Sequence, residues 1–179
     1  MGASQQGADA TSGRWLTIPR TLCFVLNGDD VLLMKRSPTR RVFPNQYNGL
    51  GGHIEADEDP YTAAIREIKE ESGLTVRDVR LRSVHNINAG EESGIMLFVF
   101  TAYSDSRQVV ADEREGTLHW VDVATLNDYD LVEDLPLLPP KILSMADDEP
   151  PYFGLVSYDA NDDIHIQYAN VISTNESHK

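Results

Sequence analysis

A single cysteine, Cys23, stands in 179 residues, so no disulfide can form within the chain. Set in an apolar stretch, it reads as a small core residue of a protein in a reducing, cytoplasmic compartment. Basic residues are also scarce: 15 Lys and Arg against 29 Asp and Glu give a formal net charge of −14. Binding to a nucleic-acid polymer rests on cations that displace counterions, so this deficit argues against such a partner. It equally opposes the steering of any small anion, which must arrive with a metal ion or be caught by local cations. No apolar run approaches the length of a membrane span, and the first fifteen residues lack the apolar centre of a secretory signal. Neither membrane nor export is expected. What is present suits a globular fold: 41% of residues are hydrophobic, with ample material for one core.

Residues 1–14, rich in Gly, Ala, Ser and Gln, read as a disordered tail, as do 173–179, which leaves 15–172 as one domain. Strands are expected at Leu16–Leu26 and Val31–Lys35, joined by the turn Asn27-Gly28-Asp29-Asp30. A Pro- and Arg-containing loop runs from Ser37 to Tyr47. Further strands are expected near Val79–Asn88, at the nearly continuously apolar and hence central Ile95–Tyr103, and at His119–Val121. A second helix is expected over Leu135–Met145, with a late start because of Pro136, Pro139 and Pro140. A closing hairpin from Tyr152–Tyr158 turns at Asp159-Ala160-Asn161-Asp162.

The most informative stretch lies between these elements. Gly52, Glu58, Arg66, Glu67, Ile68, Glu70, Glu71, Gly73 and Leu74 spell G, five residues, E, seven residues, then R-E-apolar-x-E-E-x-G-apolar. At ordinary residue usage, a chance match has a probability on the order of 10⁻⁷. Asp59 can cap a helix that starts with Pro60, and Gly73 can end it, which predicts a helix over Pro60–Ser72. Glu67, Glu70 and Glu71 then stand at i, i+3 and i+4 on one face, where like charges repel unless something positive lies between them. Oxygen-only ligands at close quarters suit a hard divalent cation, Mg²⁺ with Mn²⁺ as a substitute, which takes its remaining ligands from water and substrate phosphates. Arg66 can hold Glu58 with its planar fork and so fix the loop against the helix.

The pattern is identified as a Nudix box, and the stretch resembles the Nudix hydrolases, more specifically the MutT-like, oxidised-purine nucleoside triphosphatase branch. The resemblance implies an α/β/α sandwich with a mixed β-sheet, and Mg²⁺-dependent hydrolysis of a nucleoside triphosphate such as 8-oxo-dGTP to monophosphate and pyrophosphate. It assigns metal binding to Gly52, Glu67, Glu70, Glu71 and Glu115, with one of the glutamates accepting the proton of the attacking water. Thr21, Asn48 and the Glu133-Asp134 pair inherit contacts to the base, and Lys35, ahead of Arg36, Arg40 and Arg41, is the preferred phosphate contact. Two departures stand out: Leu131 where that branch stacks an aromatic on the base, and Asn86 and Asn88 at positions resembling its pocket phenylalanines. Two alternatives remain open: a diphosphatase for ADP-ribose or another nucleotide sugar, and a sensor that binds nucleotide without turnover. His53 and His85 are read as ordinary residues, because Mg²⁺ prefers oxygen.

Overall fold

The apolar run Thr21–Leu26 shows none of the alternation of a strand with one wet face, and all six residues are buried in the computed structural model. The structure describes residues 5, 7, 8, 11–112, 114–132 and 139–169. The Glu133-Asp134 pair, the 173–179 tail and part of the 1–14 tail lie outside the described residues.

Strand β1 (Leu16–Asn27) turns tightly into β2 (Asp30–Arg36), with Asn27 opposite Asp30. β2 carries β1 and then the short β3 (Tyr47–Asn48) along one edge, and β6 (Gly116–Asp122) along the other. On its far side β1 pairs in parallel with β5 (Ser93–Tyr103), which is central, and β5 pairs antiparallel with β4 (Arg77–Asn88). The closing hairpin, β7 (Tyr152–Tyr158) and β8 (Ile164–Tyr168), adds to β4 in parallel through β7. Its turn is held by the Asp159 carboxylate, which accepts from the Asn161 and Asp163 amides at 2.8 and 3.1 Å.

Helix α1 (Pro60–Ser72) covers one face of this mixed eight-stranded sheet. The Asp59 carboxylate accepts from the Tyr61 and Thr62 amides at 2.8 and 3.0 Å, and Gly73 ends the helix at φ 73 in the left-handed region. Ala64 and Ile68 pack against Cys23, Val25, Leu32, Leu50 and Phe100. The opposite face, formed by Leu22, Phe24, Leu33, Leu97 and Val99, packs against Leu126 of the 3-10 turn Val123–Asp128 and Ile142 of α2 (Pro139–Leu143). The α/β/α layering is therefore present; of the expected helix Leu135–Met145, residues 135–138 lie outside the described residues, and the described part ends at Leu143. Within the described residues it begins at the Pro139-Pro140 pair, which fits the first turn where a missing N–H costs nothing. Among the described residues no helix is long and apolar enough to cross a membrane.

His85 is fully buried on the α2 side, its Nε2 within 2.8 Å of the Ser83 hydroxyl. Burial, aided by Lys141, pushes its pKa down to about 4. It is a neutral core residue.

Candidate active site

Glycines bring the loop that precedes α1 against both β1 and the helix. Gly51, at φ 134, lies where a Cβ would come within 2.3 Å of the Thr21 carbonyl oxygen. The Thr21 amide donates to the Gly52 carbonyl at 2.9 Å, while the Gly52 amide reaches the Thr21 hydroxyl at 3.4 Å. A Cβ on Gly52 would sit 2.5 Å from Glu67 Oε1, so the carboxylate can approach only because that side chain is missing. The Gly51 amide, in turn, donates to Glu71 Oε2 at 2.8 Å.

Arg66 is the hub that joins loop and helix. Its Nε and Nη2 grip the Glu58 carboxylate at 3.0 and 2.6 Å, Nη2 also donates to the His53 carbonyl at 3.1 Å, and Nη1 reaches Glu67 and Glu70 at 3.0 Å each. Glu58 additionally accepts from the Glu55 amide at 2.9 Å, which closes the loop on itself. The Arg66 hydrogen bonds hold the Glu58 carboxyl below its usual range.

The remaining carboxylates are less comfortable. Glu67 is raised above the usual carboxylate range, chiefly by burial. Glu71 is pushed up to about 7, first by burial and then by the charges of Glu67 and Glu115, against the opposing pull of the Gly51 amide and Arg36. Glu67, Glu70, Glu71 and Glu115 line one open cavity of about 340 Å³ together with Gly52. Arg40 bridges to Glu115 at 3.1 Å across its rim.

This donor set fits a hard divalent cation: every side-chain donor is a carboxylate oxygen, and four of them, from Glu67, Glu70, Glu71 and Glu115, stand around one cavity. Among the described residues no three such groups already stand in a ligating arrangement, because Arg66 holds Glu67 and Glu70 to itself. The residues that would hold the ion are Glu67, Glu70 and Glu71, with Glu115 and the Gly52 carbonyl beside them.

The chain belongs to the Nudix family. Residues 16–141 match the NUDIX domain model, a span that contains every element of the site just described. The chain is 34% identical over 119 residues to the uncharacterized Nudix hydrolase YvcI of Bacillus subtilis, covering 64% of this chain and 69% of that protein. It is 29% identical over 120 residues to the nucleoside triphosphatase NudI of an Enterobacter species, covering 61% of this chain and 84% of the relative. Among solved structures, the MutT protein of Bacillus halodurans superposes with a TM-score of 0.71 at 23% identity, covering 84% of this chain and 97% of the other, which shows the shared fold. The protein is thus a Nudix hydrolase, and enzymes of this family generally use divalent metal ions.

A second cavity, of about 380 Å³, adjoins the first and shares Arg40, Gly51, Gly52, His53 and Glu71 with it. Thr21 and Asn48 line it, and the Asn48 Oδ1 accepts from the Gly49 amide at 2.9 Å. Its strand wall is aliphatic, formed by Leu22, Ile87, Ile95 and Leu97, with Val132 nearby and Phe43 and Tyr158 at its borders. Asn86 and Asn88 do not form this wall. Strand alternation turns Ile87 into the cavity and Asn86 and Asn88 to the opposite face, so the register expected from the resemblance was off by one residue. Leu131 is buried in the core beside Tyr47, and Val132 takes the place at the cavity.

Lys35 is not brought into either cavity. Its ammonium lies 5.6 Å from the centre of the Tyr47 ring, whereas its strand neighbours Met34 and Arg36 line the second cavity. Arg36 donates from Nε to the Val42 carbonyl at 2.9 Å and is held below its usual pKa by burial and then by Arg40. Arg20, on β1, joins it there and was missed entirely, since it precedes the apolar run and reads as a strand end. The buried neighbours of each strand held the signal: Met34 marks the parity of Arg36, and Leu22 that of Arg20.

Proposed function

We propose that this Nudix hydrolase cleaves a nucleoside triphosphate to the monophosphate and pyrophosphate, with Mg²⁺ as its metal ion and the base seated in the larger cavity. The observation that carries the reading is the continuity of the two cavities. An acidic chamber, suited to a metal-bound phosphate chain, opens through Gly51, Gly52 and Glu71 into an aliphatic pocket with a few polar groups, the composition of a site for a flat ring.

In this reading Arg66 does not touch substrate. It fixes Glu58, Glu67 and Glu70 relative to the loop, so that the carboxylates are aimed before substrate arrives. Glu67, Glu70 and Glu71 hold the ion, Arg36 neutralises phosphate charge at the junction of the cavities, and Glu71 or Glu115 takes the proton released by the attacking water. A divalent ion bound there supplies charge neutralisation on the phosphoryl oxygens and a lowered pKa for bound water. The likeness to the triphosphatase NudI supports the triphosphate over a nucleotide sugar. An oxidised purine such as 8-oxo-dGTP is the narrower possibility drawn from the resemblance; it relies on Glu133 and Asp134, which lie outside the described residues.

The test is pyrophosphate and orthophosphate release from a panel of ribo- and deoxynucleoside triphosphates, 8-oxo-dGTP and ADP-ribose, with Mg²⁺, for the wild type and Glu67→Gln. The expected result is pyrophosphate from a triphosphate, Mg²⁺-dependent and lost in the variant. Turnover of ADP-ribose alone, or binding of nucleotide with no turnover, would replace this reading by the nucleotide-sugar or sensor alternative.

A further inference from the structure

We propose that Arg20 reads the acceptor edge of a 6-oxopurine, the adjacent O6 and N7 of guanine or hypoxanthine, inside the larger cavity. The inference rests on the triphosphatase reading and adds to it the residue that selects the base. Arg20 stands on β1 directly across from Leu97, two residues before Leu22, with Ile87 and Ile95 completing an aliphatic wall around it. Its Nε is buried with no hydrogen-bond partner, and no ion pair joins it to a described carboxylate. A buried guanidinium N–H without an acceptor is costly unless a ligand supplies one.

Its place along the cavity separates it from the phosphate path. It lines the larger cavity but not the acidic chamber of Glu67, Glu70, Glu71 and Glu115. Arg20 is therefore a cation of the aliphatic pocket, at the wall that a ring would face. A guanidinium offers a rigid fork of donors and no acceptor, which matches two neighbouring acceptors on one ring edge. Guanine and hypoxanthine present O6 and N7 there; adenine replaces O6 by an amino donor, which would meet the fork donor to donor. In 8-oxoguanine N7 carries a proton, so that edge too loses an acceptor.

The experiment measures kcat/KM for GTP, ITP and ATP with Mg²⁺, and for dGTP against 8-oxo-dGTP, using the full chain as wild type, Arg20→Ala and Arg20→Lys. The wild type should favour GTP and ITP over ATP by about tenfold to a hundredfold, the discrimination expected of one bidentate contact. Both variants should bring that ratio to within a few-fold of unity by lowering GTP and ITP while leaving ATP nearly unchanged, and dGTP should be preferred to 8-oxo-dGTP only with Arg20 in place. An unchanged GTP to ATP ratio in the variants would overturn the proposal. So would an equal loss on all three nucleotides, which would put Arg20 on the phosphate chain instead. If the wild type hydrolyses none of them, the triphosphatase reading fails by itself, and calorimetric binding of GMP against AMP to wild type and Arg20→Lys still decides the role of Arg20.

Discussion

Replacing Glu71 by glutamine should make the metal-free enzyme more stable above neutral pH and leave it nearly unchanged in acid. Glu71 is buried beside Glu67 and Glu115, and its carboxyl is raised from an ordinary 4.5 to about 7. The fold therefore holds this proton more tightly than the unfolded chain does. The resulting stability is complete below about pH 4.5 and is lost as the pH rises through about 7. At about 1.4 kcal/mol per pH unit, the loss amounts to about 3 kcal/mol by pH 8. The substituted amide would keep the oxygen that accepts from the Gly51 N–H and would carry no charge to bury. In EDTA, thermal unfolding followed by circular dichroism should show wild type and variant melting nearly together at pH 5. At pH 8 the variant should melt about 6–12 °C higher, given about 2–4 °C per kcal/mol for a domain of this size. Millimolar Mg²⁺ should raise the wild type at pH 8 and the variant much less, because a ligand stabilises only through the site it fills. Parallel melting curves for the two proteins across this pH range would refute the reasoning.

Gly52→Ala tests the close approach of the loop to Glu67. The added Cβ would fall 2.5 Å from the Glu67 carboxylate, which can swing away, so the melting temperature should stay close to wild type while turnover drops on the order of 10²-fold; a drop of less than about threefold in steady-state assays would show that the Glu67 position is not critical. The net charge of −14 implies a second, unusual dependence. Added salt shortens the screening length from about 30 Å at 0.01 M to about 10 Å at 0.1 M, which weakens the repulsion of an incoming nucleotide more than it weakens contacts inside the cavities. kcat/KM should therefore rise several-fold between these salt concentrations, and a fall would mean that local cations dominate capture.

What could be read from the sequence was what is local in the chain. The helix Pro60–Ser72 follows from Asp59, Pro60 and Gly73, three signals within a few residues of its ends, and its bounds needed no tertiary information. The glutamates share a face for the same reason, since helical spacing alone decides it. Strand residues obey a shorter period that a one-residue shift inverts: Lys35 lies beside Tyr47 while its neighbour Arg36 lines the cavity, and Ile87 lines it between Asn86 and Asn88. Arg20 was illegible for a further reason: its role depends on Leu97 and Ile87, brought beside it by the parallel pairing of β1 with β5 and by β4 beyond, contacts far apart in sequence.

The division between legible and illegible residues coincides with a division of labour across the sheet. The face toward α1 carries the box glutamates and the core of Cys23, Leu50 and Ile68, while Arg20, Leu22, Leu97, Ile87 and Ile95 belong to the face toward α2. The two meet along Gly51 and Gly52, with Arg40, His53 and Glu71 beside them, and there backbone groups exchange hydrogen bonds with Thr21 and Glu71. Substitutions on the α2 side can consequently alter which ring is held without moving a carboxylate, because no side chain on that wall hydrogen-bonds Glu67, Glu70 or Glu71 among the described residues. Substitutions at the seam have no such freedom. A change at Thr21 that removes its hydroxyl takes away the acceptor of the Gly52 amide and loosens the backbone that approaches Glu67, so base selection and turnover should shift together there and separately everywhere else on the wall.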